Sequence, residues 1–276
     1  MLQSMLVALD ESTWSEAATT LALDWSKRLA ARLIGLAVFD ESSIVRHEPV
    51  PRGAAEFKKR RDEERLVEAH KQLQQALERF RELCAIAGVP ESAGEVIGDP
   101  AGCILRNGHR CDLIVVGRET YFQFDSHDTP DATLGQIIGR SPRPIVIVPQ
   151  NLPQGNGVIV AYGGGREVAR TLQIFQLLGL SFNETVHLVN VRRGAAADVF
   201  ADYAAEFLDS HGADHQLHVI ESNLEPAAAL LEQVRILQPR LLVMGAPGYH
   251  PLRDLFATSV TRAVLRDCPV PVLVGA

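Results

Sequence analysis

Cysteine is scarce in this chain of 276 residues: Cys84, Cys103, Cys111 and Cys268 are all there is, and no two form a Cys-x-x-Cys pair. That spacing yields neither a zinc-ligand set nor a redox dithiol, and a chain long enough to bury its own core has no need of disulfides. Long apolar runs are missing too. No stretch approaches the ~20 residues a helix needs to cross a bilayer, which excludes a membrane span from the reading. Nor is there an excess of positive charge: 27 Lys and Arg against 34 Asp and Glu give a net charge of -7 and a pI near 5.7. General nucleic-acid binding wants a basic stripe, and this balance argues against it. No signal peptide precedes the first apolar run, so reduced thiols in a cytoplasmic setting are expected.

What the chain does have is a rhythm of short apolar runs alternating with amphipathic stretches, with 46% of residues hydrophobic. Ser4 to Leu9 ends in Asp10-Glu11-Ser12 and reads as a buried parallel strand running into a helix over Glu16 to Leu33. Leu33 to Phe39 is the second strand, and Asp40 to Ala54, with Pro49, Pro51 and Gly53, reads as a loop. Glu56 to Cys84 is a long charged helix whose Lys, Arg and Glu make a solvated face with internal ion pairs. Gly94 to Ile97 is a strand, a helix starts at Asp99-Pro100 and runs through Leu105, and Asp112 to Val116 is the fourth strand. A loop over Tyr121 to Asp131, a helix over Thr133 to Ile138 and a strand over Pro144 to Val148 follow. Strands alternating with helices imply an α/β fold with an open parallel sheet.

The pattern then begins again after Gln154-Gly155-Asn156-Gly157. Strands are expected at Val158 to Tyr162, Val186 to Val191, Gln216 to Ile220, Leu241 to Met244 and Val270 to Val274. Helices are expected at Glu167 to Leu178, Ala195 to Leu208, Glu225 to Leu237 and from Thr258 up to Pro269. Asp112 to Glu119 (DLIVVGRE) echoes Arg240 to Pro247 (RLLVMGAP), and Arg140 to Val148 (RSPRPIVIV) echoes Arg266 to Val274 (RDCPVPVLV), at nearly the same spacing. This is a tandem duplication, with domains over 1–150 and 155–276.

The last stretch, from Leu241 to Ala276, holds the clearest motif. A strand ends in Gly245-Ala246-Pro247-Gly248, a loop follows, and Thr258-Ser259-Val260 opens a helix. Glycines at a strand's carboxyl end let backbone N–H groups approach an anion, and a helix start there adds hydroxyls and a positive dipole end. This stretch resembles the universal stress protein family, whose nucleotide-binding members carry Gly-x2-Gly-x9-Gly-Ser/Thr at this place. Gly245, Gly248 and Ser259 fit. Thr258 stands where the third glycine belongs, and its Cβ opposes the close approach a phosphate needs. Ala263 to Arg266 and Pro271 to Val274 continue the match, which extends over both halves. The resemblance implies two open parallel five-stranded sheets flanked by helices, Rossmann-like and similar to the adenine nucleotide alpha hydrolase-like folds. It also implies ATP or a related adenine nucleotide as the ligand.

The two halves depart from the family pattern in opposite ways. The family's nucleoside-binding Asp, just after strand one, is Asp10 in the first half; a carboxylate there either accepts hydrogen bonds from a ribose or purine edge or caps the helix. Gly117 keeps the first loop glycine, but Thr120 takes the second, and Asp131-Ala132 take the Gly-Ser place, putting a carboxylate where phosphates would be repelled. Asp125, His127 and Asp128 read as a solvated acidic loop rather than a cation site. In the second half the phosphate loop is mostly kept, yet Gly163 stands in place of the Asp. Gly163-Gly164-Gly165 either brings backbone close to a ligand or makes a turn. The phosphate argument favours the second half and the base argument the first; because a phosphate loop supplies several backbone hydrogen bonds, the second is preferred, and a single composite site is not expected, because each pocket lies at its own sheet's strand ends.

Other residues carry less. His215 and His218 are an odd number apart in a strand, so they face opposite ways and, with His211, read as surface histidines rather than metal ligands. Cys103 and Cys111 read as buried structural thiols. No catalytic base or metal cluster emerges, and Tyr162 to Glu167 (YGGGRE) lacks the Ser and Asp of the Ser-Gly-Gly-x-Asp-Ser signature of adenylating pyrophosphatases. The expectation is a non-catalytic stress-response protein that binds a nucleotide in one half. The alternative is a scaffold with both pockets degenerate, acting through protein partners. Family dimers pair through the last strand, so Ile145 to Val148 and Val272 to Val274 are expected to meet within one chain as an intramolecular pseudo-dimer, with a homodimer of the whole chain as a further level.

Overall fold

Apolar runs of four to eight residues become the eight inner strands of one ten-stranded sheet, and the more polar segments Glu91–Ile97 and His215–Glu221 form its edges. The computed structural model describes residues 1–45, 55–122, 130–192, 199–245 and 260–275. Chain order is β1 (Ser4–Leu9), α1 (Thr13–Leu29), β2 (Arg32–Phe39), α2 (Glu41–Ile44), α3 (Ala55–Ala87), β3 (Glu91–Ile97), α4 (Pro100–Gly108), β4 (Leu113–Gly117), α5 (Thr133–Ile137) and β5 (Ile145–Val148). The second half runs β6 (Val158–Ala161), α6 (Arg166–Leu178), β7 (Val186–Arg192), α7 (Val199–Ser210), β8 (His215–Glu221), α8 (Pro226–Leu237), β9 (Leu241–Gly245), α9 (Val260–Asp267) and β10 (Val272–Gly275).

The strand order is β3-β2-β1-β4-β5-β10-β9-β6-β7-β8. Each half is therefore a parallel five-stranded sheet of the same order, and β5 meets β10 antiparallel, with Leu273 opposite Val146. The last strands do meet within one chain, and the two sheets merge across that seam into one. Side chains alternate between faces along every strand. Met5, Val7, Leu33, Val160 and Leu188 join α1, α3, α6 and α7 in one core layer. Leu6, Ile34, Ile114, Ile159 and Val189 join α4, α5, α8 and α9 in the other. On the first face the halves also touch through Trp25 and Phe182, ring centroids 5.4 Å apart.

Local chemistry moves several element ends from where periodicity put them. Helix α1 starts at Thr13, earlier than Glu16, because the Ser12 hydroxyl accepts from the Ser15 N–H at 3.1 Å. It stops at Leu29 because Ala30 turns left-handed, with φ 54°. Removing that cap by Ser12→Ala is expected to cost about 1 kcal/mol, read as a lower urea midpoint with an unchanged slope. Asp40 likewise caps a short helix, α2, within the segment expected to be loop. Helix α3 is the charged helix foreseen, with exposed i,i+4 pairs Lys59–Glu63 and Arg60–Glu64.

Candidate functional site

The carboxyl ends of the central strands are where each half's pocket is expected. In the first half these positions are taken by the chain's own groups. Asp10 is 6% exposed. Its Oδ1 accepts from the Ser12 N–H at 2.8 Å and from the Ser12 hydroxyl, and its Oδ2 accepts from the Tyr121 N–H at 2.9 Å. Burial raises the Asp10 carboxyl above its ordinary value, against the lowering effect of those hydrogen bonds; neighbouring Asp131 pushes the same way as burial. Asp10 is thus neither a free acceptor nor the helix cap itself: Ser12 caps, and Asp10 holds Ser12 and ties it to the segment after β4.

Asp131 completes this closure. Its Oδ1 accepts from the Thr120 hydroxyl at 2.6 Å and the Thr133 N–H at 2.8 Å, and its Oδ2 accepts from the Phe122 N–H at 2.8 Å. A carboxylate of the chain thus sits on backbone and hydroxyl donors at the Gly-Ser place of the loop. Phe122 is fully buried, in one cluster with Ala8, Leu36, Val38, Ile104 and Val116. Asp125, His127 and Asp128 lie outside the described residues.

Strand register relates the second half to the first: Val7 pairs with Val115 as Val160 pairs with Val243. Ala161, Val189, Val191 and Met244 thereby match Ala8, Leu36, Val38 and Val116, and Leu230 matches Ile104, each four residues after the proline that opens its helix. Here these side chains line a cavity of about 380 Å³, rimmed by Gly163, Gly165, Glu167, Gly245, Val260 and Thr261. Of the residues singled out in sequence, Gly163, Gly245 and Val260 come together at this cavity. Gly248, Thr258 and Ser259 lie outside the described residues.

The glycines divide by role. A Cβ on Gly245 would fall 2.6 Å from the Val168 backbone nitrogen, and one on Gly117 would fall 2.7 Å from Trp14 Cβ. Both glycines let the first helix of their half press against the end of the fourth strand. Gly164 has φ +77° and would meet the Phe200 ring at 2.9 Å, so the turn needs glycine there. A Cβ built on Gly163 would meet no described residue within 4 Å.

Two features had little signal in sequence. Arg118 reaches from the first half to the second, donating to the Arg266 carbonyl at 3.0 Å and to the Cys268 carbonyl at the C-terminal end of α9. His187, on β7, points its Nδ1 at His218 Nε2 on the neighbouring strand β8, 3.1 Å away. His215 is directed instead at the Ala213 carbonyl and Asp209, on the other face, as its odd spacing from His218 requires. Burial, then the charge of His218, lower His187 from its ordinary value of 6.5, while Asp214 acts the other way. A base with a lowered folded pKa contributes its full stability above 6.5 and loses it as pH falls towards the folded value. Acid titration of urea stability is therefore expected to fall less steeply below pH 6.5 in His187→Gln than in the native chain.

All four cysteines are buried. Burial pushes Cys84, Cys111 and Cys268 up to about 11, so their thiolates are disfavoured. Among the described residues, no group of three or more His, Cys, Asp or Glu is placed to hold a metal. Nor, among them, is any helix long and apolar enough to cross a membrane.

The model of the universal stress protein family matches residues 1–149 and again 157–275. A curated universal stress protein of Synechocystis is 25% identical over 165 residues, 59% of this chain. The chain spans 57% of that relative's length. Among solved structures, a universal stress protein from Archaeoglobus fulgidus superposes with a TM-score of 0.70 at 19% identity, over 99% of this chain and 97% of that one. A putative universal stress protein from Pseudomonas aeruginosa gives 0.58 at 15% identity, over 99% and 92%. Those two likenesses concern the fold.

Proposed function

The chain belongs to the universal stress protein family, and from that premise we propose that it is a non-catalytic stress-response protein holding an adenine nucleotide, ATP or a relative, in the cavity of its second half. The observation that carries this reading is the contrast between matching positions. In the second half they line a cavity of about 380 Å³ at the strand ends. At the matching strand ends of the first half, the Asp131 carboxylate is already engaged by Thr120, Phe122 and Thr133, and Phe122 is buried in the core. The apolar floor of Val189, Val191, Leu230 and Met244 suits a planar base, while Gly245 and the start of α9 flank the segment that carries Gly248, Thr258 and Ser259. Glu167 is the one charged side chain among the described lining residues, and no group of three or more His, Cys, Asp or Glu among the described residues is placed to hold a metal beside it. The two halves act as domains over 1–150 and 155–276, joined as a pseudo-dimer, in the cytoplasm.

Freshly purified protein should release an adenine nucleotide on denaturation, identified by mass, and the stripped protein should bind ATP. Gly248→Glu, which puts a bulky carboxylate into the loop, is expected to abolish binding. Asp10→Ala, in the closed half, is expected to leave it intact. Loss in Asp10→Ala alone would move the site to the first half. No nucleotide and no binding in any form would favour a scaffold that works through protein partners.

A further inference from the structure

Glu167 stands in the first turn of α6, where a glutamate is ordinarily a helix-dipole residue. Its position says more than that. Its Oε2 lies 3.5 Å from where Gly165 would carry a Cβ, and its own Cβ lies 3.1 Å from where Gly245 would carry one. The side chain therefore leaves the helix beside the end of β9, turns its carboxylate towards Gly165 at the start of its own helix, and lines the cavity. At the matching position the first half has Trp14, and its own carboxylate at this strand end is Asp10, whose counterpart is Gly163. In the second half the acid has in effect moved from the strand-end turn to the helix. Among the described residues, nothing lies within 4 Å of a Cβ built on Gly163.

Resting on the nucleotide reading above, we propose that Glu167 is the specificity-determining acceptor of this cavity, which takes the vicinal hydroxyls of a ribose and so selects ribonucleotides over nucleotides lacking them. A carboxylate only accepts hydrogen bonds. It repels phosphate, so the part of the ligand beside it must bring donors. On a nucleotide, the sugar hydroxyls supply two adjacent donors, and the opening at Gly163 leaves room for the sugar. The competing partner is weak: Arg166 Nη2 is 3.6 Å from Oε1, and the Arg166 side chain is 75% exposed. Glu167, at 34% exposed, remains within reach of a ligand.

The test titrates the full-length stripped protein with ATP and with 2′,3′-dideoxy-ATP, which keep the same base and phosphates. The native chain is expected to bind ATP about ten-fold or more tightly than the dideoxy compound. Glu167→Gln is expected to bring ATP down to the dideoxy affinity, leave dideoxy binding unchanged and keep the native unfolding midpoint. Adding Gly163→Asp to Glu167→Gln, at a backbone position that accepts a side chain, is expected to restore the preference for ATP. Equal binding of both compounds by the native chain would overturn the inference while leaving nucleotide binding standing. So would a Glu167→Gln variant that keeps the preference or loses both ligands alike. If the native chain binds neither compound, the nucleotide reading itself falls, and this inference with it.

Discussion

Asp131→Ala is expected to lower the stability of the chain by about 2–3 kcal/mol, read as a fall in the urea midpoint. The side chain accepts three hydrogen bonds, from Thr120 Oγ1, Phe122 N and Thr133 N. Thr120 is 1% exposed and Phe122 is fully buried, so water does not readily replace what alanine removes. Unsatisfied buried donors cost more than the bond itself contributes. Asp131→Asn separates the terms. Its carbonyl can still accept from Thr120 and Thr133, but its amide then faces the Phe122 N–H, donor against donor. The loss should therefore be smaller than for alanine yet clearly measurable. If alanine left the midpoint where it was, the carboxylate would be idle, and the first half could no longer be described as closed by its own groups.

Which parts of this were legible in the sequence follows from how far each interaction reaches. Apolar runs and their alternation located every strand to within a few residues, because burial on a sheet face is a local pattern. The duplication, together with the family's pairing through its last strand, placed β5 and β10 at a common seam before any contact was known. The roles of individual site residues were less accessible. Asp10 could be placed at a strand end from its neighbours, but its engagement depends on Tyr121, 111 positions away. Asp131 looked like a repulsive neighbour for a phosphate; its real partners include the N–H of Phe122, nine positions earlier. Gly117 and Gly245 looked like ligand glycines. Their tightest neighbours are Trp14 and Val168, and only the packing of a helix against a strand end shows that. Glu167 gave no signal at all, since a glutamate in a first helical turn is ordinary. His187 and His218 are 31 positions apart, and their meeting follows from the register of β7 on β8.

Arg118→Met is expected to cost about 2–3 kcal/mol and to loosen the second half more than the first. The guanidinium donates to the carbonyls of Arg266 and Cys268, where α9 ends and the chain turns into β10. Burial lowers its pKa, and the nearby Cys268, Asp267 and Glu119 oppose that effect; arginine keeps its charge regardless. A cation at a helix C-terminus is favourable, and more so when partly buried. Methionine retains much of the stem's apolar packing but leaves two carbonyls at the seam without their donor and removes the charge lying 5.8 Å from the centre of the Trp14 ring. The contact has no twin: the position matching Arg118 in the second half is Ala246, whose side chain carries no donor. The pseudo-dimer is therefore fastened asymmetrically, by the closed half holding the far end of the helix that leads out of the proposed nucleotide loop. Hydrogen exchange should show the difference. In Arg118→Met the amides of α9 and β10 are expected to lose protection, while those of α4 and β2, on the far side of the first half, keep theirs. Equal loss across both halves would mean that Arg118 contributes only to global stability, and protection unchanged everywhere would mean that the β5–β10 pairing holds α9 without it.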